Sequence, residues 1–262
     1  MPKTILVTGA TDGIGLETAK MLISMGHNVL LHGRSPEKLE TVKRMLTALS
    51  DGGQVQSYVA DLSRMADVEA LSKDVAEKHT KLNVLINNAG VFTTADPTTT
   101  DGLDIRFAVN TIAPYLLTKR LLPLIESSGR VVNLSSAAQA PLDPDTLDGL
   151  SPLPDGTVYA QSKLALTKWT FHMESQKDGP VIVAVNPKSF LGTKMVKEAY
   201  GVDGADLRIG ADILCRASLS FAFLSERARL LVRPPILPII LPRSPSTGRS
   251  RCMWSRTCRL RN

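Results

Sequence analysis

The sequence predicts an α/β fold, a doubly wound parallel sheet with helices on both faces, and three observations predict it. Short apolar strands and amphipathic helices alternate from residue 3 to about residue 222. A glycine-rich turn joins the first strand to the first helix, and later strands end in small or polar residues such as Asp61, Asn87 and Ser135. Sustained βαβ alternation builds a parallel sheet, whose ligands bind at the carboxyl ends of its strands. Hydrophobic residues at 43% against 21% charged suit one domain with a sizeable core.

Residues 3–8 form the first strand, and Gly9-Ala10-Thr11-Asp12-Gly13-Ile14-Gly15 follows it. Glycines allow positive φ and close backbone approach, while a helix N-terminus offers unpaired N–H groups to an anion. The turn therefore reads as a phosphate site; the plainer alternative is a tight βα turn that needs glycine for itself. Ile14, Thr18, Met21, Leu22 and Met25 share one face of the first helix, which Gly26 ends. The second strand, 28–32, runs into Gly33-Arg34-Ser35-Pro36. An acidic residue here would hold a ribose 2′-OH, whereas an arginine suits a 2′-phosphate, so Arg34 points to NADP(H) over NAD(H). Ser35 is placed to cap a helix over 36–50, with Pro36 in its first turn.

A third strand over 54–60 ends at Asp61-Leu62-Ser63, and a helix spans 65–80. The fourth strand, 82–86, enters Asn87-Asn88-Ala89-Gly90. A long helix over 101–126 contains Asn110, and Pro114 should kink it or mark its strained point. The fifth strand, 130–134, ends at Ser135-Ser136; a sixth covers 181–185, and a last helix 208–222. Between the last two strands lies a helix carrying Tyr159 and Lys163. At spacing i, i+4 these share one helical face. A free phenol titrates near pH 10, and a neighbouring ammonium favours its phenolate, so the pair suits general acid–base work on an alcohol or carbonyl.

Other chemistries find little support. The four histidines show no metal-ligand spacing, and no metal site is expected. No uncharged apolar run is long enough to span a membrane. The first residues already read as a strand, so no export signal is expected; with it goes the expectation of a cytoplasmic protein with reduced thiols at Cys215, Cys252 and Cys258. Residues 1–220 hold 22 Lys and Arg against 24 Asp and Glu, while 221–262 hold nine Arg and only Glu226. The basic balance thus belongs to the last stretch, and no nucleic-acid partner is expected for the domain over 1–220. Prolines 234, 235, 238 and 242 forbid a regular strand there. Arginine without lysine, mixed with Pro, Ser and Cys, reads as a frameshift product, an altered terminal exon or a disordered tail. A basic arm for nucleic acid or a membrane surface is the rival reading.

Across residues 3–215 these motifs resemble the short-chain dehydrogenase/reductase family, whose Rossmann-type fold matches the one predicted, and most closely its retinol-dehydrogenase-like and WW-domain-oxidoreductase-like branch. The resemblance implies that Gly9, Thr11, Asp12, Gly13, Ile14 and Gly15 bind the cofactor, the glycines carrying its pyrophosphate. It places Asp61 and Leu62 beside the adenine and Asn88, Ala89 and Gly90 along the cofactor, with Thr193 at the nicotinamide carboxamide. Asn110, Ser136, Tyr159 and Lys163 match the catalytic tetrad. Tyr159 would exchange a proton with the substrate oxygen and Ser136, chosen over Ser135, would hydrogen-bond that oxygen. Lys163 would bind the nicotinamide ribose and lower the tyrosine pKa, and Asn110 would hold a water linking Lys163 to solvent. The implied activity is NADP(H)-dependent interconversion of a carbonyl and an alcohol on a small apolar molecule, in a homodimer or homotetramer. A cofactor-binding protein without turnover is the alternative. Two departures bear on it. The insert over 141–157 should form a loop at the active-site rim. Lys188 stands where the family usually has glycine, and is strained if that position needs positive φ.

Overall fold

The structure, a computed structural model, describes residues 1–150, 153–174 and 179–220. The readings of residues 221–262 lie outside them. Six strands form one sheet: β1 (Thr4–Val7), β2 (Asn28–Gly33), β3 (Val55–Val59), β4 (Val84–Asn87), β5 (Arg130–Leu134) and β6 (Val181–Val185). Their order is β3-β2-β1-β4-β5-β6, and every pairing is parallel. The order reverses between β1 and β4, which opens a crevice above their carboxyl ends.

The alternation of side chains along each strand divides the core into two layers. Ile5, Val7, Val29, Leu31, Val84 and Ile86 point to one face. There they meet Leu22 and Ile23 of α1 (Gly13–Ser24), Val42 and Leu46 of α2 (Pro36–Leu49), and a later helix described below. Leu6, Leu30, Leu85 and Val131 point to the other face, against Val68, Leu71 and Val75 of α3 (Met65–Lys78). The apolar face of α1 is largely the expected one, with Thr18 and Leu22 buried and Ile14 and Met21 packed against the core. Gly15, Thr18, Ala19, Leu22 and Ile23 are its buried positions, while Met25 is exposed. Gly26 ends the helix as expected, at φ +75°.

The expected helix over 101–126 is broken into pieces. It runs as a short α4 (Ile105–Phe107), a π-helical turn (Ala108–Ile112), α5 (Ala113–Leu121) and a final 3₁₀ turn. Pro114 explains the break. It has no N–H to give the carbonyl of Asn110, and its ring crowds that carbonyl, so the chain widens by one residue just before it. Next come α6 (Asp155–Glu174) and α7 (Lys194–Tyr200), a short helix not expected from sequence, and α8 (Leu207–Leu219). Leu214 and Cys215 of α8 complete the first core layer. Burial pushes the Cys215 thiol up to about 12, so it remains protonated and inert.

Candidate active site

A cavity of about 830 Å³ opens at the carboxyl ends of the strands. Gly9, Thr11, Asp12, Gly13, Ile14, Arg34, Asp61, Leu62, Asn88, Ala89, Gly90, Ser136, Tyr159, Lys163 and Thr193 all line it. Of the expected site residues, Gly15 and Asn110 stand just behind the wall.

Each glycine of the first turn has its own reason. Gly9 and Gly13 adopt φ of +64° and +57°, where side chains are strained. A Cβ on Gly15 would stand 2.3 Å from the Gly9 carbonyl oxygen, which no rearrangement of that backbone tolerates cheaply. Asp12 caps α1 by accepting the Gly13 N–H at 2.7 Å. Beneath the turn lies His32, 2% exposed, its Nδ1 accepting the Gly9 N–H at 3.2 Å and its Nε2 facing the Ala60 carbonyl at 3.1 Å. Those partners require a neutral ring with the proton on Nε2, and burial lowers its pKa to about 4.

Asn88 braces the same turn. Its amide donates to the carbonyls of Thr8 and Gly9 at 2.8 and 3.1 Å. Thr8, which the sequence reading passed over, accepts the N–H groups of Asn88 and Ala89 on its hydroxyl at 3.0 and 3.1 Å. Asn87 bonds Thr118 and Asn133, and Asn133 bonds Thr170. This buried polar ladder crosses β4 and β5 and ties α5 to α6 through the sheet.

On the other side of the cavity Ser136, Tyr159 and Lys163 converge. The two serines are sorted by their partners. Ser135 is buried, with its hydroxyl on Thr167 at 2.7 Å, whereas the Ser136 hydroxyl accepts the Ala138 N–H at 3.1 Å and lies with Tyr159 in the cavity wall. Lys163 is 3% exposed and donates to the Leu134 carbonyl at 2.7 Å. Burial lowers its pKa to about 8.

One expectation needs correction. The Tyr159 pKa is raised, not lowered: burial is the main cause, Ser136 opposes it, and Tyr200 adds to the rise. Burial dominates although the Lys163 ammonium lies over the tyrosine ring, 5.6 Å from its centroid, and donates to the Leu134 carbonyl. Asn110 stands beside them, behind the cavity wall. Its side chain is fully engaged, accepting the Val91 N–H at 2.8 Å and donating to the Val91 carbonyl and Ser162 at 2.9 and 3.0 Å. Any water held by Asn110 would therefore sit on its backbone carbonyl, which Pro114 cannot pair.

The insert over 141–157 gives a second correction. Among the described residues, none of it lines the cavity. Thr146 bonds Gln161 at 2.8 Å, and the Leu147 and Asp148 carbonyls accept from Asp104 and Thr98. The segment thus docks on the approach to α4, and its last residues, 155–157, open α6. The rim is built elsewhere, from an aromatic series that sequence reasoning missed. Phe92 packs on Tyr159 at 4.6 Å between ring centroids and on Tyr200 at 5.8 Å, and Tyr200 meets Phe190 at 5.2 Å. Phe92 directly follows Asn-Asn-Ala-Gly-Val, a position that could have drawn notice; Tyr200 gave no signal.

Beyond β6, the strain foreseen at Lys188 is present. Its φ is +93°, and Phe190 follows at +53°. Thr193 then caps α7, accepting the Val196 N–H at 3.1 Å, close to Gly13 across the cavity. Among the described residues, no group of three or more His, Cys, Asp or Glu is placed to hold a metal ion.

A parallel sheet in this order, with a glycine turn over its first crevice and a Tyr–Lys helix facing it, defines a Rossmann-type dinucleotide fold. The family model described as short chain dehydrogenase matches residues 3–201, and the chain belongs to that family. It is 35% identical over 180 residues to a human polyprenol dehydrogenase, covering 66% of this chain and 54% of that one. It is 33% identical over 192 residues to human retinol dehydrogenase 13, covering 71% and 58%. The chain therefore spans a little over half the length of these curated relatives. Among solved structures, it resembles a metagenomic short-chain oxidoreductase in complex with NADP, with a TM-score of 0.62 and 29% identity over 82% of this chain and 89% of that one. It also resembles the landomycin C-6 ketoreductase LanV with bound NADP and rabelomycin, with a TM-score of 0.66 and 27% identity over 84% and 90%.

Proposed function

We propose that this chain is an NADP(H)-dependent oxidoreductase that interconverts a carbonyl and an alcohol on a small apolar substrate, with Tyr159 as general acid–base. The observation that carries the reading is that Ser136, Tyr159 and Lys163 share one cavity with the glycine turn. The turn fits a dinucleotide, because a side chain at Gly9, Gly13 or Gly15 would strain the backbone or fill its close approaches. Asp61 and Leu62 would flank the adenine, Arg34 would take the 2′-phosphate, and Thr193 would meet the carboxamide. The nicotinamide supplies the hydride when bound.

The protein's own part is positional and acid–base. Burial keeps the Tyr159 phenol protonated at neutral pH, so it is ready to donate to the oxygen of a carbonyl, and Ser136 would hydrogen-bond that oxygen. Lys163, charged below about pH 8, would donate to the nicotinamide ribose. General acid help of this kind is worth about 10²–10⁴-fold. The aromatic rim of Phe92, Tyr200 and Phe190 favours an apolar substrate, and the names of the polyprenol and retinol relatives accord with that. Cytoplasmic residence and a homodimer or homotetramer formed through α5 and α6 complete the reading. In support, Tyr115 packs edge-on against Trp169 at 5.6 Å while remaining 39% exposed. Also, no helix among the described residues is long and apolar enough to cross a membrane.

A cofactor-binding role without turnover is the second reading, favoured by the strain at Lys188. Fluorescence titration of the full chain with NADPH and with NADH, followed by a panel of carbonyl substrates, tests both. The proposal expects NADPH to bind at least about tenfold tighter, Arg34→Ala to remove that preference, and NADPH to be consumed with at least one carbonyl. Equal affinities would overturn the role of Arg34, and binding without turnover across the panel would favour the second reading.

A further inference from the structure

Outside the cavity, the most heavily built polar feature is a charged cluster where α4 meets the start of α6. Arg106 is 3% exposed and Asp104 1% exposed. The Arg106 guanidinium donates through Nε to Asp104 Oδ1 at 2.9 Å and through a terminal nitrogen to Asp104 Oδ2. Its other terminal nitrogen donates to Asp155 Oδ1. One buried cation thus takes carboxylates from two helices, a fork geometry that only arginine provides.

The register gives this cluster its meaning. Arg106 precedes Asn110 by four residues, and Asp155 precedes Tyr159 by four. Asp104 also caps α4, accepting the Arg106 N–H at 2.8 Å, and its carbonyl accepts the Ala108 N–H at 2.8 Å. One turn further on, Asn110 bonds Ser162, whose hydroxyl donates to the Tyr159 carbonyl at 2.7 Å. The two helices are therefore joined twice. The ion cluster is the outer joint, and the Asn110–Ser162–Tyr159 chain is the inner one.

We infer that Arg106 is a positioning residue: bridging Asp104 and Asp155, it fixes the turn that carries Tyr159 against the π-helical turn that carries Asn110. The inference rests on the proposed function for its catalytic consequence, but not for its structural one. Buried on one side and open on the other, Asp155 has a side chain 37% exposed, so the arm it forms is removable without stranding a deeply buried charge, because Arg106 keeps Asp104.

Hydrogen exchange and kinetics on the full chain test it, using Asp155→Ala, Asp155→Asn and Arg106→Lys. Asp155→Ala and Arg106→Lys should speed exchange in both 108–112 and 157–161 and leave β1 and α1 unchanged. Asp155→Asn, which keeps an acceptor oxygen, should change both stretches less. With NADPH and a reducible aryl ketone, Asp155→Ala should lower kcat about tenfold through misplacement of the phenol, with KM and NADPH affinity within about twofold. Faster exchange confined to 157–161 would reduce Asp155 to a helix-terminus charge and overturn the inference. Unchanged kcat in a variant whose two turns have loosened would overturn it too. Should the wild type reduce no carbonyl, the proposed function fails, and exchange in the two turns alone decides the clamp.

Discussion

The first and sixth βα junctions meet the same backbone demand with different residues. Between β1 and α1 the left-handed positions are Gly9 and Gly13, and the closest approach is made by Gly15. Between β6 and α7 the left-handed positions are Lys188 and Phe190. The first junction is therefore relaxed and braced from below by Thr8, His32 and Asn88. The sixth is strained, and it sets exposed aromatic rings at the cavity mouth, with Phe190 and Tyr200 at 55% and 52% exposure. The difference teaches that the two halves of the cavity are built to different standards: the glycine side presents fixed backbone, where we propose that the cofactor binds, while the sixth junction presents side chains, where we propose that the substrate enters.

The sharpest way to break this comparison is to give the first junction a side chain. Gly15→Ala places a Cβ 2.3 Å from the Gly9 oxygen and 2.4 Å from Asn88 Nδ2. We expect a loss of about 3 kcal/mol or more in urea unfolding, with NADPH affinity falling at least about 100-fold because the turn must open. A fully stable, cofactor-binding Gly15→Ala would show that the turn is not under this constraint.

The brace beneath the turn has a pH signature. Burial lowers the His32 pKa to about 4 in the folded chain, from the ordinary imidazole value of 6.5. The unfolded chain takes up the proton as pH falls below 6.5, the folded chain only near 4. The contribution of His32 is thus complete above pH 6.5 and lost as pH falls through 4, at most about 3 kcal/mol. Urea unfolding across that window should show the loss, and His32→Gln should lack this component.

At the sixth junction the expected effects are smaller. Tyr200→Ala removes the ring between Phe92 and Phe190. It should raise KM for an apolar carbonyl about five- to tenfold, roughly 1 kcal/mol, with NADPH affinity unchanged. Lys188→Gly should stabilise the domain by about 1 kcal/mol, the strain relieved at φ +93° outweighing the greater entropy of an unfolded glycine. Thermal unfolding checks this last effect; a destabilised variant would mean that the lysine side chain makes contacts that compensate its backbone.

Legibility in the sequence follows the same division. Motifs that act through the backbone were readable, because glycine spacing, the Ser35 cap and the Arg130–Leu134 strand are local properties. The break before Pro114 was readable as a strained point, though its π-helical form depends on how Asn110 docks on Val91. What could not be read depends on partners distant in sequence. The Tyr159 pKa is set by burial and Ser136 rather than by the lysine four residues on, Thr8 acts through Asn88, and the aromatic rim joins residues 92, 190 and 200. On α1 the periodicity placed Ile14, Thr18, Met21 and Leu22 correctly and misplaced Met25, which lies past the last helical turn and is exposed.

The most direct test of the account compares wild type with Tyr159→Phe, measuring NADPH affinity by fluorescence and carbonyl reduction by NADPH consumption. The account predicts affinities within about twofold and turnover lower by at least about 100-fold, since only the proton donor is lost. Equal turnover in the two proteins would contradict it and move the acid–base chemistry away from Tyr159.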